Sequence, residues 1–316
     1  MPAPKSLILA SPRGFCAGVD RAIEIVELAL EVHGPPVYVR HEIVHNRHVV
    51  ARLRELGAVF LETLTDVPRG GLLIYSAHGV SPEVRAEAEA LGLRTIDATC
   101  PLVTKVHVEA LRYARNGFEI ILVGHRGHVE VEGTLGHARD SIQLVESVAD
   151  VERLQVTHPD RLAVLTQTTL SIDDTAEIIS ALRARFPSIR LPTRDDICYA
   201  TQNRQNAVKA IAKDSDLMLV VGAPNSSNSN RLVEVARARG TTARLVESAD
   251  DIEPSWLEAA RAVGVTAGAS TPDATVQAVI GRLAELGFAD VHETVITEEH
   301  VRFALPPELT RQATGG

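Results

Sequence analysis

Cys16, Cys100 and Cys198 are the three thiols of this 316-residue chain. An odd number of cysteines cannot pair off within one chain, and three in 316 is far from the density of a secreted disulfide scaffold, so the thiols read as those of a reducing compartment. Taken singly, each reads as a small buried hydrophobe. Their flanks argue for chemistry instead. Cys16 lies in the Gly-flanked turn Arg13-Gly14-Phe15-Cys16-Ala17-Gly18, and Cys100 in Asp97-Ala98-Thr99-Cys100-Pro101. Thiols ahead of a helix favour the thiolate form. Three thiolates brought together repel one another unless a metal centre compensates, and thiolates select zinc, copper(I) or iron–sulfur clusters. Zinc sites usually draw on tight pairs such as Cys-x2-Cys, which this chain lacks. A four-iron cluster normally takes four cysteines; with three, one iron is left open to substrate.

The other chemistry-bearing residues are donors to an anion. Eight of the 12 histidines fall between His41 and His137. Among them His41, His45, His78, His125 and His128 sit in polar stretches that follow apolar runs, where an imidazole can donate to a phosphate. His33, His158, His292 and His300 have no motif around them and read as surface residues. Ser226, Ser227, Asn228, Ser229 and Asn230 form an uncharged donor cluster just before a helical pattern, suited to a phosphate at a helix N-terminus, or simply to a turn with its cap. Glu130 is the candidate acid, with Glu132 its competitor; Thr168 is placed to orient a hydroxyl or relay a proton. There is no Gly-x-Gly, and none of the four lysines follows a glycine, so nicotinamide and Walker-type ATP sites are disfavoured.

Positioning these residues takes a repeated scaffold. The cysteines are 84 and 98 residues apart, and each precedes a helical pattern. Val37, Ile120 and Leu217 then open short β-type runs 21, 20 and 19 residues further on. Polar loops follow, then Val59–Glu62, Gln143–Glu146 and Arg244–Glu247 as the next strands. A third run ends each time in a small polar loop (Ser76–Gly79, Thr166–Thr169, Ala267–Ser270) and a capped helix start. Strand alternating with helix predicts α/β units on mainly parallel sheets. The expected division is 1–97, 98–195 and 196–290, with 291–316 as a C-terminal segment whose end, Pro306–Gly316, is loose. If the units face one another about a pseudo-threefold axis, the cysteines and loops meet in one cavity; the alternative is three small sheets with unrelated loops.

Composition bounds the function class. Aromatics are 3% and hydrophobics 45%, so the cores are built from Val, Leu, Ile and Ala, as in buried parallel sheets. A net charge of −9 argues against a general grip on nucleic acid or an anionic membrane. Leu7–Ala10 is too short for the apolar core of a signal peptide, and Leu217–Val221 is far below a bilayer span, so a cytoplasmic protein with no membrane insertion is expected.

The blocks Pro12–Val19, Val39–Asn46, Ser76–Val80, Asp97–Val103, Thr166–Ser171, Asp196–Arg204, Asn225–Leu232 and Thr266–Ser270 closely resemble, in order, the 4-hydroxy-3-methylbut-2-enyl diphosphate reductase (LytB/IspH) family. The resemblance runs from about Leu7 to about Leu305. It implies a trefoil of three α/β units around a central 4Fe–4S cluster held by Cys16, Cys100 and Cys198, with one open iron. It implies reductive removal of the hydroxyl of an allylic diphosphate, the last step of the methylerythritol phosphate route, giving isopentenyl and dimethylallyl diphosphates. His45, His78, His128, Ser226, Ser227, Asn228 and Ser270 would bind the diphosphate, Glu130 would supply protons, with Thr168 beside the substrate hydroxyl, and a ferredoxin or flavodoxin would deliver electrons. One departure is Val129, where the family usually has Pro; this would soften the loop that places Glu130. The competing readings are a zinc-dependent hydrolase of a phosphorylated metabolite and a non-catalytic iron–sulfur sensor.

Overall fold

The computed structural model describes residues 5–192 and 195–313. The first stretch of chain carries β1 (Ser6–Ser11), α1 (Ala17–His33), β2 (Val37–Arg40), α2 (Arg47–Glu55), β3 (Ala58–Leu61), β4 (Leu72–Tyr75), α3 (Pro82–Ala90) and β5 (Arg94–Asp97). Next come α4 (Pro101–Arg115), β6 (Glu119–Val123), α5 (Val129–Gly136), β7 (Ile142–Val145), α6 (Val148–Arg153), β8 (Leu162–Thr166) and α7 (Ile172–Arg185). The last stretch carries α8 (Tyr199–Ala212), β9 (Leu217–Val221), α9 (Ser227–Ala238), β10 (Thr242–Val246), β11 (Ala262–Ala267), α10 (Asp273–Glu285), β12 (Asp290–Val295) and α11 (Pro307–Ala313). The helix after each cysteine and the strands after it stand where the repeat puts them. In three parallel sheets the repeated strands keep one spatial order: β3-β2-β4, β7-β6-β8 and β10-β9-β11.

The chain divides into two compact units. The first comprises Met1–Ala17, His45–Arg47 and Tyr199–Val301. Its sheet runs β10-β9-β11-β1-β12. Although β1 opens the chain, it pairs in parallel with β11 and β12, because Leu7 and Leu9 complete the apolar layer of this sheet. Strand β9 shows why these strands read as unbroken apolar runs. Leu217, Leu219 and Val221 pack with Val276, Val279 and Leu283 of α10, while Met218 and Val220 pack with Val208 and Ile211 of α8 and Leu232 of α9. With both faces covered, no position is left for a polar side chain. β12 is exposed at the edge, where Asp290 and Glu293 discourage further strand pairing.

The second unit comprises Gly18–Val44, His48–Cys198 and Arg302–Gly316, and carries the other two sheets, β3-β2-β4-β5 and β7-β6-β8. Strand β6 repeats the logic of β9: Ile121 and Val123 join Ile178 and Leu182 of α7, while Ile120 and Leu122 join Val106 and Ala110 of α4 and Val131 of α5. The expected loose tail is corrected in part. Residues from Pro307 form α11, and its Leu309 is fully buried. Only the last residues of that tail lie outside the described chain, as does the very start at Met1–Pro4. No helix among the described residues is long and apolar enough to cross a membrane.

Candidate functional site

In open parallel sheets the loops at the carboxyl ends of the strands are where ligands bind. In the first unit those loops follow β1, β9 and β11. Gly14 takes φ +71, which a side chain would strain, and its N–H donates to Ala267 O at 3.2 Å. Cys16 N–H donates to Ala269 O at 3.2 Å, so the loop carrying this thiol is stitched to the end of β11. Arg204, completely buried, holds the same loop from below. Its guanidinium donates to Gly14 O at 2.7 and 3.0 Å, to Phe15 O at 3.0 Å and to Ala200 O at 2.9 Å, and pairs with Glu299 at 3.1 Å. Arg204 lies inside the Asp196–Arg204 block, six residues after Cys198, yet nothing in its local pattern shows that it is a buried cation rather than a solvated one. Arg204→Met removes a fork that Lys cannot imitate, leaving three carbonyls without their donor and Glu299 without its cation, although Asn203 Nδ2 still donates to Glu299 Oε1 at 2.9 Å. The expected cost is about 3 kcal/mol, the low end for a broken buried pair because Glu299 stays partly solvated; urea denaturation at wild-type stability would contradict this.

The anion donors of this unit are also assembled. Ser226 caps α9, its Oγ accepting from Ser229 N–H at 3.3 Å and from Ser229 Oγ at 3.1 Å, which leaves its own O–H to donate. Asn228 is buried, its Oδ1 accepting from Ala269 N–H at 2.9 Å. Ser227 opens the helix between them. Ser270 Oγ donates to His45 O at 3.0 Å, and Asn225 Nδ2 lies 3.5 Å from His45 Nδ1. Ser270 therefore ties the His45 segment to the end of β11.

In the second unit Cys100 is the N-cap of α4, with Pro101 at the first helical position, and its N–H donates to Ala77 O at 3.0 Å. Cys198 N–H donates to Thr168 O at 3.0 Å. None of the three cysteines forms a disulfide, and each is half-buried. Asp196 ties the Cys198 segment to neighbouring elements: Lys105 of α4 donates to its Oδ1 at 2.9 Å, and Thr166 N–H of β8 donates to its Oδ2 at 3.0 Å. Burial outweighs both partners and pushes the Asp196 carboxyl up to about 6.

Glu130 and Glu132 are separated by the fold. Glu132 is exposed, whereas Glu130 is 3% exposed and accepts from Thr168 N–H at 2.7 Å and from Thr168 Oγ1 at 3.0 Å. Burial pushes the Glu130 carboxyl up to about 7 against these two hydrogen bonds, with the charge of Asp196 adding to the rise. His128 is the N-cap of α5, its Nδ1 accepting from Glu130 N–H at 3.2 Å. That bond leaves the proton on Nε2, so the ring presents an N–H donor. His78 Nδ1 lies 3.3 Å from Ser76 Oγ, and the rings of His78 and His128 meet edge to face with centroids 6.2 Å apart. Val129 occupies the first helical position of α5, where the missing N–H of a proline makes little difference, and the cap forms without it.

Two histidine readings change. His41 has φ +59 and pairs with Glu62, beside Arg40, so a carboxylate already engages its ring. His158, His292 and His300 are exposed as expected, but His33 is half-buried beside Arg94. His107 and His137 had no assigned role, and the structure buries a nitrogen of each. Among the described residues no group of three or more His, Cys, Asp and Glu side chains gathers as it would around a single metal ion, so the zinc reading finds no site there.

The LytB protein family model matches residues 7–284. A 4-hydroxy-3-methylbut-2-enyl diphosphate reductase of Chromohalobacter salexigens is 61% identical over 305 residues, covering 95% of this chain and 96% of that protein. One of Mycolicibacterium paratuberculosis is 59% identical over 309 residues, covering 98% and 93%. The solved structure of the E-1-hydroxy-2-methyl-but-2-enyl-4-diphosphate reductase of Plasmodium falciparum is similar with a TM-score of 0.96 at 42% identity, over 98% of each chain. A structure of (E)-4-hydroxy-3-methyl-but-2-enyl diphosphate reductase, the terminal enzyme of the non-mevalonate pathway, gives 0.63 at 34% identity, over 89% of this chain and 99% of that one.

Proposed function

The chain belongs to the LytB protein family, and on that premise we propose that it reduces (E)-4-hydroxy-3-methylbut-2-enyl diphosphate to isopentenyl and dimethylallyl diphosphates. Two electrons and two protons enter, the C–O bond of the allylic alcohol breaks, and the hydroxyl leaves as water. The observation that carries this reading is the buried Glu130–Thr168 pair next to the His128 cap: an acid that holds its proton near neutral pH, with a hydroxyl to pass it on.

The family is one of iron–sulfur enzymes. Cys16, Cys100 and Cys198 are the proposed ligands of a 4Fe–4S cluster, and the donor set fits: three half-buried thiols outside any disulfide, each just ahead of a helix start. A cubane spreads its ligands over different irons, which separates this demand from that of a single zinc ion. When bound, the cluster supplies electrons and a Lewis-acidic iron with no protein thiolate.

The side chains do the rest. His128 donates through Nε2–H to the diphosphate, and His78, His45, Ser226, Ser227 and Asn228 donate to it alongside. Ser270 exchanges its bond to His45 O for the anion, or acts by holding His45 in place. Neutral donors let a chain of net charge −9 hold a diphosphate without an Arg or Lys patch. Protonated Glu130 donates from Oε2 to Thr168 Oγ1, which turns its own proton to the departing hydroxyl. Anchoring the substrate by its diphosphate places binding energy away from the reacting carbon, where it can orient that carbon. Ferredoxin or flavodoxin is the proposed electron donor, and the cytoplasm the proposed compartment.

Protein prepared without oxygen is expected to be brown, to contain iron and inorganic sulfide, and to consume two electrons from reduced methyl viologen per allylic diphosphate. A colourless, iron-free preparation with full activity would overturn the proposal. Zinc without sulfide, together with phosphate release, would favour the hydrolase.

A further inference from the structure

Several close contacts meet at His107, which the mechanism does not use. It lies on α4 seven residues beyond Cys100, two helical turns along the same face. It is 4% exposed, and among the described residues its Nε2 has no hydrogen-bond partner. Its ring packs against that of His137, with centroids 4.3 Å apart and planes 31° from parallel. His137 is the C-cap of α5; it hydrogen-bonds to the Val80 backbone, and its own Nε2 is buried with no partner among the described residues.

The backbone lies close around this ring, most tightly at Gly79. A methyl group on Gly79, the residue after His78, would stand 2.5 Å from His107 Cε1 and 3.1 Å from Thr99 Cγ2. A methyl group on Gly133, in the middle of α5, would stand in ordinary van der Waals contact, 3.4 Å from His107 Nε2 and 3.6 Å from the Gly79 carbonyl, so the ring also reaches α5 at contact range. One imidazole on the Cys100 helix thus abuts both the turn that carries His78 and the helix capped by His128. Burial, with His137 and Arg85 acting in the same direction, pushes His107 down to about 3, so the ring is neutral. A neutral ring whose buried nitrogen meets no polar partner contributes shape rather than a hydrogen bond.

We propose that His107, backed by His137, is a positioning residue: a spacer that sets how closely the His78 turn and α5 approach, and so the spacing of the two imidazoles that grip the diphosphate. This rests on the reading that His78 and His128 bind the diphosphate. Glu130 has a separate anchor in Thr168, so loosening the spacer acts on substrate capture more than on proton delivery.

The test uses the cluster-loaded enzyme. His107→Ala is expected to keep wild-type iron and sulfide, raise KM about tenfold and change kcat less than about threefold. His107→Leu refills the space without the nitrogens and is expected to bring KM back to within about threefold of wild type. An unchanged KM in His107→Ala, a loss confined to kcat, or a Leu variant as impaired as the Ala variant would overturn the proposal. If His107→Ala does not fold, His137→Ala read by the same KM and kcat split decides. If the wild type does not turn over the allylic diphosphate, the functional reading fails, and calorimetric affinity for inorganic diphosphate decides the spacer: weakened by Ala and restored by Leu supports it, equal affinities overturn it.

Discussion

Glu130→Gln is expected to lower kcat by about 10²–10³-fold with KM little changed, because it removes the proton that the leaving hydroxyl needs while keeping the shape of the side chain. The amide can still meet Thr168, so the pocket stays closed; what is lost is acidity. The pH profile separates this from a packing defect. Burial raises the Glu130 carboxyl from an ordinary 4.5 to about 7, so the proton-bearing form predominates below that value. Wild-type kcat should therefore fall as pH rises through about 7, and Glu130→Gln should lose that limb. The same shift bears on stability. The folded chain binds the proton more tightly than the unfolded one, so this contribution is complete below about 4.5 and is lost as pH rises through about 7. The Gln variant should lack that slope in urea titrations. A Glu130→Gln enzyme with wild-type kcat and an unshifted profile would assign the proton to another group.

Cys100→Ser is expected to cut turnover by about 10³-fold or more and to strip most of the iron, while leaving the apo fold as stable as wild type or more so. Position 100 is the N-cap of α4, and serine is a preferred N-cap, worth about 0.5–1 kcal/mol over residues that cannot cap. The hydroxyl that improves the helix start is a poor substitute for a thiolate on iron, since it is far less acidic and a harder donor. Iron and sulfide analysis should therefore fall while the melting temperature holds. A variant that melts early with its iron intact would make Cys100 a packing residue. One that keeps both iron and turnover would remove it from the ligand set.

Both experiments test residues that stood out in the sequence, and the reason is local. Cys100 sits between Thr99 and Pro101, and the Pro at the first helical position announces the helix that its neighbour caps. Ser171 before Ile172-Asp173-Asp174 announces α7 in the same way, its hydroxyl accepting from Asp174 N–H at 3.1 Å. The repeat of apolar runs at nearly equal spacing announces three similar sets of buried parallel strands, since both faces of each central strand must be covered; their spatial order, β3-β2-β4, β7-β6-β8 and β10-β9-β11, comes from the tertiary structure. The comparison relatives add the identity of the reaction, which no propensity carries.

What escaped the sequence is non-local. Nothing in Leu7-Ile8-Leu9 says that β1 pairs with β11, more than 250 residues on, since an apolar run fits the interior of any parallel sheet. Glu130 and Glu132 are equally acidic and two residues apart, and only the packing of α5 against the Thr168 loop buries one and leaves the other in water. Nothing in the local pattern around Arg204 or His107 marks either as buried, because the segments that cover them are distant in the chain. Residue types, caps and periodicity therefore determined the elements, the repeat and the inventory of thiols, imidazoles and hydroxyls, because those depend on neighbours within a few positions along the chain. The tertiary structure alone decided which acid keeps its proton, which cation is buried beneath the Cys16 loop and which imidazole serves as a spacer. Desolvation and close packing come from segments distant in sequence, and they shift acidity and spacing in ways that no local pattern encodes.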